Sequence, residues 1–191
     1  MEVTAVCDAN ILIDFLSVPD GEQMIYAMTR YFHDVVVPDV VLHEVKQLTP
    51  EKAEQFGLHI SETPLEALTY SPNDKKLSMQ DRACLFLSQT QHWICITNDK
   101  KLRTCCLRSN GSALWGLELV VYLFHDNLIL KELALAVGQE ICRYNSRVTE
   151  KTYDAFVLAL NKAEKEQADE EKEAESGFLV SKHVAFVATS H

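Results

Sequence analysis

Four acidic residues stand just past or near short apolar runs, and they are the residues of this chain best placed to do chemistry. They are Asp8 after Val3-Thr4-Ala5-Val6-Cys7, Glu44 downstream of Val35-Val36-Val37-Pro38, Asp81 in Ser78-Met79-Gln80-Asp81, and Asp99 after Ile94-Cys95-Ile96-Thr97-Asn98. Three of them follow or neighbour candidate parallel strands. In an open α/β sheet the carboxyl ends of the strands share one edge, and ligands bind in the crevice there. Carboxylates gathered on that edge repel: at ~4 Å and an effective dielectric of ~20, one like-charge pair costs about 4 kcal/mol. A hard divalent cation with oxygen ligands, Mg²⁺ or Mn²⁺, removes that repulsion. The pattern therefore points to metal-dependent phosphotransfer or hydrolysis.

Each acid also has a plainer reading. Asp8 can cap the helix that follows it, with Asn10 sharing the task. Glu44 can be an exposed helix residue. Ser78 and Asp81 have the spacing of a capping box, so Asp81 can serve only a backbone N–H. Asp99 can cap the next helix. Other chemistries lack their motifs: there is no G-x-S-x-G elbow, no G-x-G-x-x-G and no phosphate-binding Walker loop. His43, next to Glu44, reads as a surface residue. Trp93, Trp115 and Tyr122 read as core.

The elements that must position these acids follow from periodicity. Residues 3–7, 35–37 and 93–97 read as buried strands, and 58–60 as a short one. Helices are expected over 11–16 and 22–32, and from a cap at Asp39 through Val40, Val41, Leu42, Val45 and Leu48. Thr49-Pro50-Glu51 starts another helix by its N-cap and first-turn proline. Further helices are expected from Ser78, over 99–107, 114–124 and 128–144. Residues 70–74 read as a loop and 109–112 as a turn. The alternation predicts an α/β fold, a parallel sheet with helices on both faces.

With 191 residues and a 47% hydrophobic fraction, one domain with an appendage is expected. The division falls at residues 1–145 and 146–191. Beyond it, Lys162 to Ser176 is dense in Glu, Lys and Ala with no apolar stripe and reads as a solvated helix or a disordered arm. Phe178-Leu179-Val180 and Val184-Ala185-Phe186-Val187 then turn apolar, to add an edge strand, bind a partner or dimerise. The net charge of −10 argues against a high-affinity structural DNA binder, although a local basic patch or a bound metal can outweigh it. None of the six cysteines forms a C-x-x-C pair, the usage of a reducing, cytoplasmic protein. There is no basic start with a long apolar stretch, and no run of ~18 apolar residues for a membrane span.

Four segments together resemble the PIN-domain family in order and spacing over about residues 1–125. They are Val6-Cys7-Asp8-Ala9-Asn10-Ile11-Leu12-Ile13, Val37-Pro38-Asp39-Val40-Val41-Leu42-His43-Glu44-Val45, Asp81-Arg82-Ala83, and Ile96-Thr97-Asn98-Asp99-Lys100-Lys101-Leu102. The resemblance implies a three-layer α/β/α sandwich around a central parallel sheet. It implies a Mg²⁺- or Mn²⁺-dependent endoribonuclease, related to the VapC-type toxins of toxin–antitoxin pairs. Metal ligands and catalytic acids would be Asp8, Glu44, Asp81 and Asp99, with Asn10 and Thr97 as polar groups behind them. Products would carry 5′-phosphate and 3′-hydroxyl ends. Lys101 departs from the pattern, since many toxin-type members carry an acid there. Its ammonium would reduce charge at a second metal site or orient a substrate phosphate. Leu114-Trp115-Gly116-Leu117-Glu118-Leu119 resembles members outside the best-known toxin group.

The acidic surface suggests a basic partner, such as an arginine-bearing antitoxin arm that pairs with the carboxylates; a homo-oligomer is a further expectation. Two rival functions remain. A non-catalytic PIN-like module would use its tail for assembly. A phosphatase or receiver protein would use Asp8 as nucleophile, but Asn10 stands where such a phosphatase needs a second acid.

Overall fold

The computed structural model describes residues 3–70, 77–108, 111–144 and 149–175. Strands β1 (Thr4–Cys7), β2 (Asp34–Pro38), β3 (His59–Ser61), β4 (Ile94–Ile96) and β5 (Ser112–Leu114) form one all-parallel sheet in the order β3-β2-β1-β4-β5. Ala5, Val6 and Cys7 of β1, Val35 to Val37 of β2 and Ile94 to Ile96 of β4 are all buried. Consecutive side chains on a strand point to opposite faces, so uninterrupted burial means that both faces are covered. This is why these strands read as continuous apolar runs.

The helices are α1 (Ala9–Leu16), α2 (Glu22–Tyr31), α3 (Asp39–Leu42), α4 (Pro50–Gln55), α5 (Leu65–Thr69), α6 (Met79–Gln91), α7 (Lys100–Arg108), α8 (Gly116–His125), α9 (Lys131–Tyr144) and α10 (Glu150–Glu175). Helix α6 packs on β1, β2 and β4, with α3, α5 and α7 against it. Helices α1, α2, α8, α9 and α10 pack among themselves as a second group, and α2 also meets β2. The architecture is an α/β fold with a parallel five-stranded sheet and flanking helices, as the alternation of elements predicts.

Several expectations change. The helix begun at Asp39 stops at Leu42. Glu44, Val45 and Leu48 donate their N–H groups to Val41, Leu42 and Val45, three residues back, so the chain tightens into turns instead of continuing as α-helix. Val45 and Leu48 are buried nonetheless. Residues 112–114, expected as the end of a turn and the start of a helix, form β5. Ser112 and Ala113 have little strand propensity, and pairing of Ala113 with Cys95 overrides it. The five-residue helix α5 had no signal in the pattern.

Residues 150–175, expected as a charged extension, form α10. Its Phe156, Leu160 and Ala163 are buried in the same core as the sheet, at the spacing of one helical face. Gly138 of α9 makes room: a Cβ there would lie 2.2 Å from the Phe156 ring. Farther along α10, the Gln167 amide donates to the carbonyls of Phe124 and His125 at 2.7 and 3.0 Å, satisfying the last turn of α8. The expected loop at 71–74, residues 109–110 of the expected turn, and the apolar tail from Phe178 to Val187 lie outside the described residues. All six cysteines are free thiols. No helix among the described residues is long and apolar enough to cross a membrane.

Candidate active site

The chain leaves β1 to build β2 and then β3 on one side, and later returns to place β4 and β5 on the other. Connections therefore diverge between β1 and β4, the switch point where a parallel sheet opens a crevice at its carboxyl edge. Cys7 pairs with Ile96 in that ladder. The next residues, Asp8 on one strand and Thr97-Asn98-Asp99 on the other, are thus delivered to the mouth of the crevice.

Asp8 is 4% exposed and sits at the N-cap of α1. Its Oδ1 accepts from the Ala9 N–H at 2.8 Å. Its Oδ2 accepts from the Thr97 hydroxyl at 2.6 Å and from the Asn10 side-chain amide. The Thr97 oxygen in turn accepts from the Asp99 N–H at 2.9 Å, so one buried hydroxyl joins the two strand ends. Asn10 Oδ1 accepts from the Asn98 N–H at 2.9 Å, a second link across the same gap. Burial pushes the Asp8 carboxyl up to about 7; the Thr97 hydrogen bond opposes this, and the negative charge of Asp81 reinforces it.

Asp81 lies in the first turn of α6, half-buried, and forms the expected capping box: its Oδ2 accepts from the Ser78 N–H at 2.9 Å and Ser78 Oγ accepts from the Asp81 N–H at 3.0 Å. The capping reading holds, and the box leaves Asp81 close enough for its charge to act on Asp8. Asp99 Oδ1 accepts from the N–H groups of Lys101 and Leu102 at 2.7 and 2.9 Å and so starts α7. Glu44 is exposed in the turn after α3, the short helix that packs on α6. Lys101 is exposed on the first turn of α7.

Four residues at this edge escaped the pattern. Asn98 is 9% exposed, donates to Asp14 Oδ2 at 2.7 Å and accepts from the Gly116 N–H at 2.9 Å. Asp14 is pushed up to about 6 by burial, an effect the Asn98 hydrogen bond opposes. A Cβ on Gly116 would lie 2.9 and 3.0 Å from the Asn98 amide atoms and 3.0 Å from Ile11, so only glycine admits the α8 start this close. A signal for Asp14 existed: it is four residues after Asn10, hence on the same face of α1. Trp115, read as core, is half-buried at the wall of a cleft, with the Arg103 guanidinium 4.9 Å from its ring centroid.

Among the described residues, no group of three or more His, Cys, Asp or Glu side chains is placed to hold a metal ion. The donors at Asp8 and Asp81 are nevertheless of the type a hard cation takes. Mg²⁺ commonly keeps several waters and uses one or two carboxylates, so this pair fits it in kind and in number.

No family model matches the chain, and no curated protein matches it. Among solved structures, a PilT N-terminus domain protein from the hyperthermophilic archaeon Sulfolobus solfataricus P2 is similar, with a TM-score of 0.48 and 12% sequence identity, covering 63% of this chain and 93% of that one.

Proposed function

We propose that the chain is a Mg²⁺- or Mn²⁺-dependent endoribonuclease whose reacting phosphate sits at the β1/β4 switch point. The observation that carries this is the Asp8 carboxylate, desolvated at the end of the central strand and facing the charge of Asp81. Such a pair is poorly stabilised alone and is relieved by a cation. Asp8 and Asp81 would hold the ion, with Asp99 and Glu44 completing the acidic rim. When bound, the cation supplies an activated water and neutralises charge on the phosphoryl oxygens. The rest is the chain's own work. Thr97 and Asn10 fix the rotamer of Asp8, so its oxygen is preset rather than recruited. The Asn98–Asp14 and Asn98–Gly116 hydrogen bonds hold the turn that carries Asp99. Lys101 orients a substrate phosphate. An arginine-bearing partner segment paired with Asp8 and Asp81 would shut the same site.

The experiment is cleavage of single-stranded RNA by the purified chain with Mg²⁺ or Mn²⁺, with the product ends identified. Metal-dependent cleavage leaving 5′-phosphates, lost in Asp8→Asn and Asp81→Asn, is expected. A second reading, a PIN-like module that binds without cleaving, is favoured by one observation: no trio of candidate ligands gathers among the described residues. Metal binding without any cleavage would select it.

A further inference from the structure

A cleft of about 740 Å³ opens between the β4–α7 turn, the start of α8 and the N-terminal half of α10. Asn98 and Lys100, which flank Asp99 in sequence, form its end nearest the acids. Trp115 forms one wall, and Phe156, Ala155 and Ala159 of α10 line the apolar side. Its volume falls in the range of pockets that enclose a small organic ligand, ~300–1,000 Å³.

We infer that this cleft is the subsite for an unpaired nucleobase of the RNA strand, next to the phosphate held at Asp8; the inference rests on the hydrolase reading for that placement. Three features select this occupant. Asn98 and Lys100, the two neighbours of Asp99 in sequence, line the cleft, so a strand crossing Asp99 meets its end. Trp115 is a half-buried aromatic lining the cleft, with the Arg103 guanidinium 4.9 Å from its ring centroid, and stacking on an aromatic ring is how single-stranded nucleic acid is bound without reading sequence. Lys100 is exposed at the rim and pairs with no acid among the described residues, which suits a backbone phosphate. In a chain of net charge −10, affinity for a strand must come from such local cations and from stacking.

The test compares two fluorescent ten-nucleotide probes on the full chain with divalent cations chelated: oligodeoxyuridine and its abasic counterpart of equal charge. The wild type is expected to bind the base-bearing probe about tenfold more tightly. Ala155→Glu, on an exposed position, and Trp115→Ala should bring that ratio to one, while Trp115→Phe should keep most of it. Should Trp115→Ala fail to fold, Ala155→Glu and Trp115→Phe still decide the matter. Equal affinity of the wild type for both probes, or no measurable binding of either, overturns the inference. So does a ratio that Ala155→Glu leaves intact while sedimentation shows a changed assembly state, because the cleft would then hold a second copy. The probes report the cleft and cleavage reports the acids, so either reading can fail without the other.

Discussion

Two neighbouring strand ends carry the same local device and differ in what they can do. Asp8 follows β1 and Asp39 follows β2; each carboxylate takes a helix-start N–H and a threonine hydroxyl, from Thr97 and Thr63 respectively. Burial drives the Asp8 carboxyl up to about 7, with the charge of Asp81 adding to it. At Asp39 desolvation also pushes upward, but the hydrogen bonds from Thr63 and the Val40 N–H, with nearby His43, outweigh it and hold the carboxyl below its ordinary value. Asp39 is thus a satisfied clasp between β2 and the segment entering α5. Asp8 is a charge with unfinished compensation. A strand-end acid becomes a candidate site through burial and a second acid, not through its motif.

The largest effect that could break this contrast is on activity. Asp8→Asn should lower RNA cleavage by about a thousandfold or more, whereas Asp39→Asn should stay within a few-fold of wild type. Equal losses would mean that the two clasps are equivalent.

Stability against pH separates the same two residues by sign. The folded pKa of Asp8 is raised, so its contribution is fully present below the unfolded value of 3.8 and is lost as pH rises through about 7. Asp14 acts in the same sense through about 6. For Asp8 the loss is on the order of 4 kcal/mol at most. Metal-free denaturant melts from pH 4 to 8 should show this decline, and Asp8→Asn should flatten it. Asp39, with its lowered pKa, works oppositely: its contribution is present above the unfolded value and is lost as pH falls through the folded one.

Gly116→Ala should cost roughly 1–3 kcal/mol by forcing the Asn98 side chain away from Asp14, read as a drop in the denaturation midpoint. A neutral outcome would mean that Asn98 yields freely and does not hold the Asp99 turn. The smallest effect belongs to Lys101. Lys101→Ala should reduce the salt slope of RNA binding by about one, and an unchanged slope would place its ammonium in solvent.

Much of this arrangement was legible in the residues. Strands β1, β2 and β4 announce themselves because burial on both faces leaves no polar alternation. Asp8 and Asp99 stand out because an acid just past the end of such a strand has no packing reason to be there. Strand β5 was hidden, since Ser112-Ala113-Leu114 becomes a strand only by pairing with β4. Glu44 looked helical because Val45 and Leu48 keep a helical spacing that the backbone abandons in favour of turns. The difference between Asp8 and Asp39 was invisible, because it depends first on how deeply the fold buries Asp8 and then on how α6 brings Asp81 near it, not on either residue's neighbours in sequence. Trp115 was misread for the same reason: its exposure is decided by where α10 leaves a gap.

The most direct measurement is the thermal midpoint at pH 8 as Mn²⁺ is titrated into wild type, Asp8→Asn, Asp81→Asn and Asp39→Asn. A ligand that binds only the folded state raises the midpoint with concentration. The site described here predicts a saturable rise in wild type and in Asp39→Asn, and none in Asp8→Asn or Asp81→Asn. A rise of equal size in Asp8→Asn, or no rise in wild type, would contradict it.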